Sequence, residues 1–465
     1  MEILLGIKVA VVVVLFFGAS IFVHEWGHYY AARRRGMKVE AFAIGFGPKI
    51  FSWVKDGIEY SVRWIPAGGF VKLPQMHTSD AIEGQAASTE PIPPASPLSK
   101  IIVAVAGPVM NVVFAFAVAT VIYFVGLPVL VNPPIIGYVD PKSEEAALGI
   151  KEGDKVVEID GQKVKSWQDV IFIPVLSRSP QMAVVIERDG VKKTYDLTAK
   201  VSAANGWKLL NLEPKDHPEI QQVLDGQPAK EAGLKERDIV LAFGGVPVAS
   251  DRQLIDLIHK RADQKTEMTL QRGGEKLTVE ITPKADPGSK EGRIGVMLSN
   301  SSTSVYVVQR PGPKPWDQVH DVWDKTIKTL SALIHTRETG VGAKDLSGPV
   351  GILAILASQV NTDYRLALSF LVLLNINLAI LNMLPLPVLD GGHIVMSLIE
   401  SITRRPLSPK FVEYATMGFA VLLISFMLYV TTYDLRRLPQ FKALFKSETQ
   451  IQEPDQTPAK TEPAK

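Results

Sequence analysis

The sequence has no cysteine among its 465 residues. A disulfide framework and any thiolate metal site are therefore excluded, and a metal held here must use imidazole and carboxylate. An excess of one charge is also missing, since 50 Lys and Arg stand against 48 Asp and Glu for a formal net charge of +2. With no long basic run carrying interleaved aromatics, the chain is not suited to bind nucleic acid. What it has is apolar residues, 46 % of the total, beside 21 % charged ones and a mean hydropathy of +0.14. That mixture describes apolar spans joined to a soluble part of ordinary composition.

A helix needs about 20 apolar residues to cross a bilayer core of about 30 Å. Four stretches qualify: Leu4 to Val23, Ile101 to Val131, Leu366 to Leu389, and Tyr414 to Tyr433. The shorter Leu346 to Val360 reads as interfacial or re-entrant. Arg33, Arg34 and Arg35 follow the first run rather than precede it, which argues for a span and against a signal peptide. Together with Lys38, Lys49, Lys55, Arg63 and Lys72 they place the first loop in the cytoplasm. Counting spans then puts the region from about 132 to 365 outside and brings Asp390 to the membrane face that carries His24. Arg436 and Arg437 oppose this orientation, but a single flank weighs less than a whole basic loop.

The outer block contains an internal repeat. Gly149, Lys151, Glu152, Asp154, Val156, Gly161 and Val164 recur as Gly233, Lys235, Glu236, Asp238, Val240, Gly245 and Val248, 84 residues later. That period suits two tandem small domains rather than a solenoid. Each copy reads as glycine-capped helix, turn, β-branched strand and glycine turn, a pattern that resembles a PDZ domain. Pro315 to Thr336 follows with apolar residues at helical spacing, an amphipathic helix expected to lie on the membrane or on these domains. The tail after Ser447 is expected to be disordered.

The string that carries chemistry is His24-Glu25-Trp26-Gly27-His28. On a helix, residues four apart stand about 5–6 Å apart on one face, so both imidazoles can reach one zinc ion. Glu25 lies off that axis and is placed to take a proton from water activated by the metal. Gly27 is a poor helix former, which suggests a close backbone approach there. Three ionisable residues at membrane depth are functional by default, because each charge there costs about 2.5–3.5 kcal/mol. A catalytic zinc needs a third protein ligand. Asp390 is the first candidate and His393 its rival, both in Asn382-Met383-Leu384-Pro385-Leu386-Pro387-Val388-Leu389-Asp390-Gly391-Gly392-His393. Imidazole with carboxylate also admits cobalt or iron. Asn382 can either hydrogen-bond an extended substrate or tie helices together.

With these motifs, and with Gly107-Pro108-Val109-Met110-Asn111 in the second span, the chain resembles the site-2 protease family of intramembrane zinc metalloproteases over nearly its whole length. The resemblance implies Zn2+ bound by His24, His28 and Asp390, Glu25 as general base, Asn382 facing substrate, and Asn111 lining the catalytic chamber. It also implies a bacterial inner-membrane location, a periplasmic PDZ-like pair, an active site toward the cytoplasm, and substrates that are single-span membrane proteins of the anti-sigma-factor type or leftover signal peptides. A monomer in the lipid bilayer is expected.

In the first cytoplasmic loop two alternating runs, Ile50 to Val54 and Ile58 to Trp64, flank the hairpin signal Lys55-Asp56-Gly57, and Gly68-Gly69-Phe70 then breaks the pattern. A strand edge there can capture unwound substrate by β-augmentation, which assigns Gly68, Gly69 and Phe70 to substrate binding; an ordinary surface hairpin is the alternative. The expected fold class is thus a four-span α-helical membrane protein with a membrane-associated β-hairpin and two tandem PDZ-like α+β domains. The expected divisions are 1–131 for spans one and two with a β-loop at about 37–75, 132–214 and 215–307 for the paired domains, 308–365 for amphipathic helix and connection, 366–435 for spans three and four, and 436–465 for the tail. A non-catalytic membrane scaffold with peptide-binding domains is the rival from another class, and a metal transporter is disfavoured by the absence of inverted repeats.

Overall fold

The computed structural model describes residues 2–76, 93–202, 206–300, 304–439, 441, 445 and 449–453. Helix α1 covers Glu2–Arg34 and α2 covers Pro97–Val125. Helix α2 starts on Ser96, whose side chain accepts from the Ser99 N–H, and has Pro97 in its first turn, where no backbone donor is needed. It stops six residues before the expected Val131. Gly126 turns the chain at φ 88°, and Pro128 cannot continue the ladder.

Helix α3 covers Pro315–Ile334, α4 Pro349–Thr362, α5 Tyr364–Asn382, α6 Asp390–Thr403 and α7 Pro409–Arg436. Four helices among the described residues are long and apolar enough to cross a membrane: Val9–Arg34 within α1, α2, α5, and Lys410–Arg436 within α7. The third span ends at Asn382 and not at Leu389 as expected. Pro385 and Pro387 break the helix, and the chain crosses to α6 through tight turns, Leu386 N–H to Leu384 O at 2.7 Å and Leu389 N–H to Leu386 O at 2.8 Å. Helix α4, the expected re-entrant piece, has 14 residues, too few to span.

Helices α1, α2 and α5 share apolar cores in which Phe16 meets Ala115, Ile376, Leu356 and Phe370. Polar groups help. Asn375 of α5, fully buried, donates to Ser20 Oγ of α1 at 3.0 Å and to Leu371 O. Asn375 thus ties α5 to α1 two turns before Asn382. Helix α6 is clamped to α2 by Lys100 and Glu400, a buried pair 2.8 Å apart. Helix α3 lays Val319, Val322 and Leu330 on the same core as Leu371 and Ile376, while Lys328 donates to Gln162 on the soluble side.

The first loop forms two paired strands, β1 Ala41–Lys55 and β2 Ile58–Lys72, turned at Asp56 and Gly57, both at positive φ. Gly68-Gly69-Phe70 does not break the strand as expected. Instead β2 bends and returns, so Ala41 to Ile44 pair on one side with Glu59 to Val62 and on the other with Gly69 to Lys72. One edge of this folded sheet is therefore the 69–72 segment. The sheet leaves Ile50, Phe51, Trp53, Val54, Trp64 and Ile65 exposed.

The outer block comprises two α+β units with separate cores. Their elements keep the 84-residue offset to within one residue: Lys155–Ile159, Trp167–Leu176 and Gln181–Arg188 recur as Ile239–Phe243, Asp251–His259 and Thr266–Arg272. An ion pair repeats with them. Arg188 grips Asp154 through Nε (2.5 Å) and Nη2 (2.6 Å) and also reaches Gly149 O; Arg272 does the same to Asp238 and Gly233 O. Burial opposes the Asp154 charge, but the bidentate guanidinium and the Lys151 N–H hold its carboxyl below the usual range. A carboxyl that titrates lower in the folded than in the unfolded chain binds fewer protons when folded. Its stabilisation is complete above about pH 4–5 and lost as pH falls below that. Asp154→Ala is expected to destabilise the first unit by about 1–3 kcal/mol at neutral pH and by less near pH 3, measured by thermal unfolding.

The strand entering this block, Leu127–Leu130, pairs antiparallel with the leaving strand, Ser304–Gln309. The expected boundary at 307 cuts that strand. Thr449–Gln452 pairs parallel on its other edge, so this part of the tail is ordered against expectation; residues 454–465 lie outside the described residues. Glu453 there meets both Arg310 and Arg365, which explains why the strand is held.

Candidate metal centre and active site

Helix α1 presents His24 and His28 on one face, ring centroids 4.7 Å apart. Asp390 arrives from the first turn of α6. His24 Nε2 and His28 Nε2 are 3.1 Å apart, His24 Nε2 and Asp390 Oδ2 3.3 Å, and His28 Nε2 and Asp390 Oδ1 3.4 Å. Two ligands bound to one zinc at about 2.0–2.1 Å in tetrahedral geometry stand about 3.3 Å apart, which is the spacing of the two imidazole nitrogens from each other and of each from its nearer carboxylate oxygen. Asp390 Oδ2 is buried and accepts no hydrogen bond, a deficiency that a cation would remove. His28 Nδ1 lies 2.8 Å from Val103 O; a carbonyl only accepts, so Nδ1 carries the proton and Nε2 turns a lone pair toward the cluster. Among the described residues these three are the one group of this kind, and the donor set fits a divalent ion. His393, the rival ligand, does not join it and lines a small cavity with Met76, Lys100 and Glu400.

Glycines make the convergence possible. A Cβ at Gly107 of α2 would collide with His28 Nε2 and come within 2.9 Å of His24 Cε1. A Cβ at Gly27 would come within 2.9 Å of the Ala106 carbonyl carbon, the close backbone approach expected at that position. Gly391 and Gly392 press on the backbone of Met383, Leu384 and Leu386, which tucks the α6 N-terminus under the proline turn and aims Asp390 inward. The sequence reading passed over Gly107, Gly391 and Gly392 as motif letters without a role; their signal was position beside the ligand-bearing residues.

Glu25 is 8 % exposed and follows His24 on α1. It faces the edge strand: a Cβ at Gly69 would meet Glu25 Cγ and Ile21 Cγ2 at 2.9 Å. Asn382, half-buried as the last residue of α5, holds Nδ2 3.5 Å from His24 Nε2. Asn111 of α2 stands against His24. It has no exposed surface, and its Nδ2 lies 3.3 Å from His24 Nδ1. Phe70 is buried with Phe46 stacked on it and the Arg63 guanidinium 5.0 Å from its ring centre, so only backbone at Gly68 to Phe70 is available to a partner.

This arrangement agrees with what the chain is similar to. The profile of peptidase family M50 matches residues 12–426. A provisionally named zinc metalloprotease of Vibrio cholerae is 28 % identical over 447 residues, 90 % of this chain and 97 % of that one. The regulator of sigma E protease of Haemophilus influenzae is 28 % identical over 440 residues, 90 % and 96 % of the two chains. Among solved structures, the PDZ domain of an SdrC-like protein from Listeria monocytogenes covers 18 % of this chain and 87 % of its own at 23 % identity and a TM-score of 0.17. With nine-tenths of the sequence aligned and the profile running through both ends of the ligand cluster, the chain belongs to peptidase family M50 and is a membrane metalloendopeptidase.

Proposed function

We propose that this protein is an intramembrane zinc protease that hydrolyses peptide bonds inside the transmembrane segments of single-span proteins. The observation that carries the reading is the meeting of His24, His28 and Asp390 from two helices at tetrahedral spacing. These three would hold Zn2+, with the fourth position open. When bound, the ion supplies Lewis acidity, polarising the scissile carbonyl and making water a stronger acid. Glu25 accepts the proton of the attacking water and returns it to the amine as the carbon–nitrogen bond breaks. Asn382, at the mouth of the site, offers its amide N–H to the substrate carbonyl oxygen as charge builds there.

A helical substrate hides its peptide bonds, so it must be unwound. The 69–72 edge runs beside Glu25, and its outward backbone groups can pair with an extended chain. The exposed Phe51, Trp53 and Trp64 beside Lys49, Lys55 and Arg63 suit lodging of this sheet at the membrane interface. Alternate N–H groups of an edge strand point off the sheet, so proline at one of Val71 and Lys72 removes a capture bond, whereas at Gly68, held at positive φ, or Gly69, against Glu25, it would disturb the site itself. Losing about 1 kcal/mol there should slow cleavage of a stable transmembrane helix about fivefold. A substrate already broken by Gly-Pro should be spared, and equal slowing of both would rule out strand capture.

The outer units read as tandem PDZ-like domains, and they differ in a way that bears on their task. The helix Trp167–Leu176 of the first is covered by the chain itself: Val175 packs with Ala332 and Val341, and Trp207 donates to Asp345. In the second, the equivalent face is open, with Ile255 and Met297 exposed. The first then serves as a fixed wall that bars bulky ectodomains, and the second is free to bind peptide. Relatives named regulator of sigma E protease support substrates of the anti-sigma-factor type, to which this reading adds remnant signal peptides; the basic first loop supports a bacterial inner membrane with the metal toward the cytoplasm.

The test is metal analysis of purified wild type, His24→Ala and Asp390→Ala beside cleavage of a single-span substrate. Zinc in the wild type, with loss of both zinc and cleavage in the variants, is expected. Cleavage that survives His24→Ala would end the proposal.

A further inference from the structure

We infer that Asn111 is a positioning residue for the metal: its side-chain oxygen, turned toward His24 Nδ1, selects the imidazole tautomer that can bind zinc. This rests on the zinc reading above. The two histidines reach the cluster through Nε2. Each must therefore carry its proton on Nδ1, and each Nδ1 must face an acceptor. For His28 the acceptor is Val103 O. For His24 the neighbour is the Asn111 amide, 3.3 Å away, oriented with Nδ2 toward the ring. An N–H of Asn111 facing Nδ1 would demand a lone pair there and put the proton on Nε2, where it would point at Asp390 and His28 and block the metal.

A second observation bears on the same amide. Asn111 Oδ1 is buried without a hydrogen-bond partner. Oxygen and nitrogen of a carboxamide have nearly the same shape, and their assignment follows the hydrogen-bond network. Rotation by half a turn places Oδ1 on His24 Nδ1 and moves Nδ2 into the oxygen's place. One amide atom lacks a protein partner in either orientation, but only the rotated one leaves His24 Nε2 free for a metal. Asn111 has no exposed surface and sits on α2 one helical turn beyond Gly107, whose Cα lies against both imidazoles. The two ligands on α1 are thus oriented by one helix, His28 by the Val103 carbonyl and His24 by the Asn111 amide.

The experiment is a zinc competition with a chromophoric chelator on full-length protein in detergent, comparing wild type, Asn111→Leu and Asn111→Asp. Asn111→Leu fills the space without an acceptor and is expected to bind zinc about 10–100-fold more weakly. Asn111→Asp keeps an acceptor on Nδ1 and is expected to bind at least as tightly as wild type, with the visible spectrum of its cobalt-substituted form unchanged. Leucine binding as tightly as asparagine overturns the inference, and so does aspartate binding more than tenfold weaker. Were the leucine variant to misfold, the aspartate arm alone still decides. Reduced cleavage at unaltered zinc affinity would make Asn111 a substrate contact and refute the positioning role. A wild type that holds no zinc would instead refute the zinc reading from which this inference starts.

Discussion

Glu25→Gln is expected to retain zinc and to cleave a transmembrane substrate about 10²–10⁴-fold more slowly. Glutamine keeps the length and shape of glutamate, so the contact between residue 25 and the Gly69 edge survives. What it loses is the ability to accept a proton. Glu25 lies outside the group formed by His24, His28 and Asp390, so the donor set is untouched. Metal content and single-turnover cleavage on the same preparation separate the two effects. A glutamine variant that cleaves within about tenfold of wild type would remove Glu25 as general base. A purely peptide-binding scaffold would show no change at all.

Gly107→Ala should have an effect of comparable size for a different reason. In an ordinary helix interior this change stabilises by up to about 1 kcal/mol, because alanine restricts the unfolded backbone and favours the helix. Here the added carbon takes the place of His28 Nε2 and crowds His24 Cε1. The imidazoles must swing out of register with Asp390, and at least about 100-fold loss of zinc affinity is expected, with helical circular dichroism preserved. Gly27→Ala makes the contrast. Its Cβ meets the Ala106 backbone, which cannot swing aside, so α1 and α2 must separate and thermal stability itself should fall. Tight zinc binding by the Gly107 variant would show that the helices have more room here than the geometry allows.

The legible parts of this chain are those written as local period or fixed spacing. Histidines four apart define a helix face whatever surrounds them, and the 84-residue repeat carried over to every strand and helix of the outer units. The positive loop and the count of spans brought Asp390 to the face of His24, where the ligand cluster has it. Other signals were present and given too little weight. Pro385 and Pro387 lie inside the third apolar run and end α5 at Asn382. Gly126 and Pro128 likewise end α2 before the apolar run is exhausted.

What the sequence alone determined, then, is the inventory: four apolar spans, a paired repeat, and a His-Glu-x-x-His helix that lacks its third ligand. These depend on periodicity and composition, which act over a few residues at a time. Only the tertiary structure decided which polar residues meet. Asn375 ties α5 to α1, Asn111 meets His24, β2 folds back to lay Gly69 beside Glu25, and the first outer unit is covered by the chain's own Ala332 and Val341. Each is a contact across dozens to hundreds of residues, fixed by how closely helices approach at glycine and by where buried polar groups find partners, and no local pattern encodes either.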